Sequence, residues 1–214
     1  MGTDVVKAGV DYQTWYADNV CRSIRYLGVP IIKNVLDLWN YQEIIVGMRP
    51  ALVVEFGTSS GGSALFFAEV MRHANPDGLV VTVDVENQAY SQIHSHPLIK
   101  YWLSDSVAPE MKERLLELRK KYPGTVFAIL DSEHKKGHVL AEMELLRDVL
   151  RSGDYLVVED SCINGHPIYN GWGEGPYEAL EEYHLRHPGD YTLDVEREAK
   201  FGFTFATAGY LRRV

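Results

Sequence analysis

The chain has 214 residues, a formal charge of −9 and a pI near 5.3. That length suits one α/β domain with an accessory segment, and the acidic balance supplies no general basic field for nucleic acid or anionic lipid. Cys21 and Cys162 are too few for a disulfide framework and lack the paired spacing of a zinc site. The first ten residues contain Asp4 and Lys7 and no signal-peptide run, and nothing approaches the ~18 apolar residues needed to span a bilayer. These features predict a cytoplasmic protein with neither a membrane nor a nucleic-acid partner.

In chain order, apolar residues at helical spacing predict a helix from Tyr12 to about Arg25, ended by Gly28 and Pro30, and a second from Asn34 to Gly47. Together they form an N-terminal cap, residues 1–48, on a domain spanning 49–214, with no linker to divide the two into independent units. The run from Ala51 to Gly57 reads as a strand at the centre of a parallel sheet. A helix at Ser63–His73 follows, then strands at Leu79–Val85 and Ile99–Leu103. The helix Met111–Tyr122, the strand Thr125–Leu130, the helix Val139–Leu150, the strand Tyr155–Val158 and the helix Tyr177–Arg186 come next. Strands at Tyr191–Val195 and Phe203–Leu211, joined by a short turn, close the chain. This alternation predicts a Rossmann-like, doubly wound α/β sheet whose last strand is antiparallel.

Glu55-Phe-Gly57-Thr58-Ser59-Ser60-Gly61-Gly62-Ser63 follows the first sheet strand and opens a helix. Ligands in open α/β sheets bind at the carboxyl ends of strands, where glycines let the backbone approach closely. The loop reads G-x-x-x-G-G, unlike the G-x-G-x-x-G of dinucleotide sites. With Glu55 it takes the E-x-G-x-x-x-G form of the first methyltransferase motif, although a glycine-rich turn can also be plain tight packing. The next strand ends in Asp84-Val85-Glu86, and an acid there can accept hydrogen bonds from both hydroxyls of a ribose. Asp84 is the first choice and Glu86 the second, with Val85 beside them. Asp105 and Ser106 end the third strand, at a place suited to an adenine amino group.

Asp131 ends the fourth strand, and Glu159-Asp160 end the fifth. Carboxylates this close repel unless neutralised, and a hard divalent cation with oxygen ligands, Mg²⁺ or Mn²⁺, is the natural partner. The alternative is that individual acids cap loops or pair with Lys135 or Lys136. His134 is placed to remove a proton from a hydroxyl activated by that cation, with Asp131 able to share it and His138 and Lys135 as competitors. After the metal acids, the glycine-rich stretch 164–176 contains His166, Tyr169 and Trp172, which could contact a sugar or an aromatic ring or simply tuck an ordinary loop.

At these residues the chain resembles the cephalosporin hydroxylase family, whose members are largely S-adenosylmethionine-dependent O-methyltransferases despite that name. The likeness spans nearly the whole chain and is most specific at Glu55–Ser63, Leu130–His134 and Val158–Ser161. It implies that Asp131, Glu159 and Asp160 bind magnesium and that the glycine loop with Asp84 binds S-adenosylmethionine. A more distant similarity to catechol O-methyltransferase implies a basic residue three positions after the first metal acid, where this chain has His134 in place of lysine. The expected activity is methyl transfer to a hydroxyl of a small phenolic, catecholic or sugar-bearing natural product, and the N-terminal helices are candidates for contacts in a homo-oligomer. Two rival readings are an iron-dependent hydroxylase and a non-catalytic S-adenosylmethionine-binding protein. The first is disfavoured because the chain contains no H-x-D or H-x-E.

Overall fold

The computed structural model describes residues 3–214, with side chains from Lys7 onward. Helix α1 (Thr3–Asn19) is followed by two two-residue strands, β1 (Arg25–Tyr26) and β2 (Val29–Pro30), and by α2 (Val35–Met48). The chain then alternates through β3 (Leu52–Phe56), α3 (Gly62–Ala74), β4 (Leu79–Asp84), the short α4 (Ser91–Ser95), β5 (Ile99–Leu103), α5 (Met111–Lys121), β6 (Val126–Leu130), α6 (Lys136–Arg147) and β7 (Tyr155–Val158). It ends with α7 (Pro176–Arg186), β8 (Tyr191–Leu193), the five-residue α8 (Val195–Ala199) and β9 (Tyr210–Arg213).

The main sheet has the strand order β5-β4-β3-β6-β7-β9-β8, with β9 antiparallel to both its neighbours and the other pairs parallel. Strands β3, β6 and β7 are buried at every position, as central parallel strands covered on both faces must be. Alternate residues serve opposite layers. Leu52, Val54 and Phe56 pack with Met111 and Leu115 of α5, Met143 and Leu146 of α6, and Leu180 and Tyr183 of α7. Val53, Phe127, Ile129 and Val157 pack on the other side with Tyr41 and Ile45 of α2 and with Phe67 and Met71 of α3. The doubly wound sheet with a reversed final strand matches the expectation from the alternating pattern.

The ends of the chain differ from the reading of periodicity. Helix α1 starts before Tyr12 and stops at Asn19, and further on Leu27 and Gly28 take left-handed backbone (φ 47° and 86°) to turn the β1–β2 hairpin. The two terminal strands are neighbours in register, Leu193 opposite Leu211, but no short turn joins them. Asp194 starts α8 by accepting from the Arg197 N–H, and its carboxylate also accepts from Tyr155 Oη at 3.0 Å. The apolar segment Phe203–Ala206 leaves the sheet to pack under α1: Phe205 lies edge-on to Tyr16 with ring centroids 5.9 Å apart.

Candidate active site

The strand ladders run past their last residues and so align four strand ends on one rim. The Gly57 N–H donates to Val83 O, the Asp131 N–H to Phe56 O and the Glu159 N–H to Leu130 O, at 2.8–2.9 Å. Gly57 adopts φ 98°, and a Cβ built there would sit 1.9 Å from the carbonyl oxygen of Asp131. Only glycine meets both conditions, so the loop rests directly on the strand end that carries Asp131. At Gly62, where α3 begins, the same atom would lie 2.3 Å from Pro30 O, which lets the β1–β2 hairpin close over the loop.

Asp84 Oδ2 accepts from the N–H groups of Thr58 and Ser59 at 2.9 and 2.7 Å, and Oδ1 accepts from the Glu86 N–H at 2.9 Å. One carboxylate therefore fixes the loop's shape while facing the ligand space. A polar chain lies beneath: Thr58 and Thr82 share a hydroxyl contact of 2.6 Å, and Thr82 donates to Glu55 Oε2 at 2.6 Å. Glu55 is fully buried, and burial pushes its carboxyl up to about 7 against the pull of Lys33.

Above the loop is a cavity of about 420 Å³, within the ordinary range for a small-molecule site. Gly57, Thr58, Ser59, Ser60 and Ser63 line it together with Asp84, Val85, Asp105, Ser106 and Asp131. Glu55 and Gly61 lie behind this wall: Glu55 supports Thr82, and Gly61 packs on Ile93. At the far end, Glu142 Oε1 accepts from the hydroxyls of Ser106 and Ser132 at 2.5 Å each, and His138 Nε2 lies 3.0 Å from Ser106 Oγ.

The three acids at the ends of β6 and β7 meet through cations. Lys33, 2% exposed, ion-pairs with Asp131 Oδ2 and with Glu159 Oε1, the latter at 2.9 Å. His134 spans Asp131 and Asp160, with Nε2 3.3 Å from Asp131 Oδ1 and Nδ1 3.2 Å from Asp160 Oδ2. Asp160 holds left-handed backbone at φ 53°, a local strain of the sort concentrated at functional sites. Burial works against a charged imidazole, yet Asp160 and Asp131 together hold His134 up at about 9. Burial drives Glu159 up to about 8 against Lys33, whereas Asp131, between Lys33 and His134, is held below its ordinary value in spite of its burial.

One ligand atom each from Asp131, His134 and Asp160 falls within a 4.8 Å group that could hold a metal. Glu159 is turned inward instead, with the Tyr41 hydroxyl donating to its Oε1 at 2.7 Å. The donor set fits a hard cation, since it is rich in carboxylate oxygen. It contains a single histidine, short of the two expected for a non-haem iron centre.

The stretch after Glu159-Asp160 is placed elsewhere. His166 stacks on Tyr177 at 3.6 Å and lies 3.1 Å from Glu178 Oε1, so both ring face and nitrogen are engaged. Tyr169 donates to Asp18 of α1, and Trp172 is exposed with its ring 6.1 Å from that of Tyr169. None of the three lines the cavity above the glycine loop.

Sequence reading missed the part played by α2 and the residue before it. Asn34 caps α2 by accepting from the Leu36 N–H, Asp37 accepts from Thr204, Tyr210 and the Phe205 N–H, and Tyr41 reaches Glu159. A signal existed: Asn34, Asp37 and Tyr41 recur at helical spacing, which puts them on one face of the segment.

Comparison with known proteins agrees with this architecture. The sequence pattern of the rhamnosyl O-methyltransferase/CmcI family matches residues 18–214. The rhamnosyl O-methyltransferase of Mycobacterium leprae (strain TN) is 50% identical over 204 residues, covering 95% of this chain and 89% of that protein. Its counterpart in Mycobacterium tuberculosis (strain ATCC 25618 / H37Rv) is 49% identical over 205 residues, covering 95% and 84%. Among solved structures, CmcI with Mg and SAM superposes with a TM-score of 0.72 at 20% identity, over 90% of this chain and 77% of that one, which establishes the class I methyltransferase fold. With the family pattern spanning the glycine loop, the acid rim and the closing strands, the chain belongs to the rhamnosyl O-methyltransferase/CmcI family.

Proposed function

We propose that this S-adenosylmethionine-dependent O-methyltransferase methylates a sugar hydroxyl, on a rhamnosyl-type acceptor, at the junction of the glycine-loop cavity and the Asp131 rim. The observation that carries this reading is that Asp131 belongs to both, lining the cavity and forming the centre of the acid cluster. The names of the mycobacterial relatives favour a sugar hydroxyl over a phenol or catechol. Asp84, Asp105 and Ser106 are placed to take the nucleoside, and Thr58 to Ser60 to cradle the rest of the cofactor. His166, Tyr169 and Trp172 are assigned an indirect role, shaping the segment beside the acceptor.

Methyl transfer is an in-line displacement in which the acceptor oxygen bonds to the methyl carbon as the carbon–sulfur bond breaks. The protein's task is therefore positioning and proton removal. We assign Asp131, Glu159 and Asp160 as the carboxylates that hold Mg²⁺ or Mn²⁺, which when bound lowers the pKa of the acceptor hydroxyl and orients it. His134 is the proton acceptor, with Asp131 as its partner. Between two free carboxylates the imidazole keeps its proton at neutral pH, so its basicity depends on those acids being neutralised.

The cap 1–48 and the domain 49–214 act as one unit in this scheme, because Lys33, Asp37 and Tyr41 of the cap are anchored to the rim and the closing segment. Two unbridged cysteines support a cytoplasmic, reducing setting, and no helix among the described residues is long and apolar enough to cross a membrane. The test is methyl transfer from S-adenosylmethionine to a panel of rhamnosides, other sugars and catechols, with and without chelator. Product on the rhamnosides, lost on metal removal and in Asp160→Asn, is expected; turnover on catechols alone would refute the acceptor assignment, and undiminished turnover in chelator would refute the metal.

A further inference from the structure

Lys33 stands between β2 and α2 with its backbone pinned: its carbonyl accepts from the Tyr16 hydroxyl at 3.2 Å, and the next residue caps α2. Only the side chain is free to change place. A buried ammonium persists only when paired, and among the described residues Lys33 ion-pairs with Asp131 and Glu159 of the rim. Asp131 divides its two oxygens between Lys33 and His134, and Glu159 presents the same Oε1 to Lys33 and to Tyr41. A divalent cation gathered by Asp131, Glu159 and Asp160 would therefore share Asp131 and Glu159 with the Lys33 ammonium, at carboxylates whose oxygens Lys33 already engages.

We propose that Lys33 is a resident counter-cation of the carboxylate rim, holding Asp131 and Glu159 together in the metal-free protein and yielding their oxygens when a divalent cation binds. Lys33 thereby lets the site fold without metal and sets how tightly metal is held. The flexible stem and compact charge of lysine suit this exchange, where the planar fork of arginine would not. The inference rests on the reading of Asp131, Glu159 and Asp160 as metal carboxylates.

The experiment is isothermal titration of Mg²⁺ and Mn²⁺ into wild type, Lys33→Met, Lys33→Arg and Asp160→Asn, with thermal melts of each protein at zero and saturating metal. Lys33→Met should bind metal at least ~10-fold more tightly, the smallest change expected when a unit charge is removed at ion-pair distance in a partly screened interior. It should melt below wild type without metal and gain more from metal, whereas Lys33→Arg should bind no tighter than wild type. Equal or weaker binding by Lys33→Met overturns the inference. If Lys33→Met fails to fold without metal, recovery of its circular dichroism on adding Mn²⁺ supports the inference, and failure to recover at saturating metal overturns it. Metal binding lost in Asp160→Asn but unimproved in Lys33→Met removes the Lys33 role alone; binding unaffected by Asp160→Asn removes the carboxylate assignment and this inference with it.

Discussion

Replacing Gly57 with alanine tests the coupling between the cofactor loop and the acid rim. The added Cβ would lie 1.9 Å from Asp131 O and 2.5 Å from Asp131 C, against a closest tolerated separation of 3.0 Å, and the residue would keep φ 98°. Relief of the clash requires the loop and the Asp131 carbonyl to separate by about 1.1 Å, the difference between 3.0 and 1.9 Å. Left-handed backbone alone costs an alanine ~1–2 kcal/mol, and the forced shift adds to this, so a loss of at least ~2 kcal/mol is expected. In a chain of this length that is a fall in Tm of roughly 4–8 °C. A misplacement of ~1 Å at a reacting centre can lower turnover ~100-fold, so activity should fall further than stability accounts for. The control is Gly47→Ala in α2, where a Cβ meets nothing within 4 Å; helix propensity predicts a gain of up to ~1 kcal/mol there. Thermal melts, cofactor titration and steady-state methylation of the two variants decide the matter. Gly57→Ala with wild-type cofactor affinity and turnover would falsify the claim that this contact sets the geometry of the site.

Asp84→Ala removes the acceptor that orders the Thr58 and Ser59 amides as well as the proposed ribose contact; calorimetry should show cofactor affinity reduced ~10-fold or more with little change in Tm, and unaltered affinity would refute that role. Tyr41→Phe deletes the hydroxyl that donates to buried Glu159, for an expected cost of ~1–3 kcal/mol in chemical denaturation, and a neutral result would mean that Lys33 alone satisfies the carboxylate. Burial alone would raise Glu178, but the Gly175 N–H, the Asn164 amide and His166 hold it down at about 2. Because its folded-state pKa lies below the unfolded value, the stability it contributes is complete above about 4.5 and is lost as pH falls towards about 2. The Tm advantage of wild type over Glu178→Gln should shrink across that interval, and an advantage independent of pH would contradict the assignment.

Much of this protein is legible without coordinates. The apolar runs at 51–57, 79–85 and 125–130 have the length and composition of strands buried on both faces, and the helices between them impose parallel order, so the rim bearing Gly57, Asp84 and Asp131 follows from connectivity. The termini were less legible because local pattern competes there with tertiary packing. Phe203 to Ala206 has the composition of a strand, yet Phe205 and Ala206 spend their burial under α1 and α2 while β9 forms further on. The direction of a side chain at a strand end was beyond periodicity altogether. Glu159 and Asp160 are adjacent, and the left-handed backbone of Asp160 sends them to different partners, Glu159 inward to Tyr41 and Lys33 and Asp160 to His134.

From the sequence alone came the class of fold, the glycine loop and the identity of the acids, because each is carried by local pattern and by the order of strands. Only the tertiary structure decided that Lys33, 98 residues from Asp131, is buried among those acids. An isolated lysine beside a helix cap has no local signature of burial; the price of removing its charge from water is met by carboxylates distant in sequence, and the fold alone brings them together.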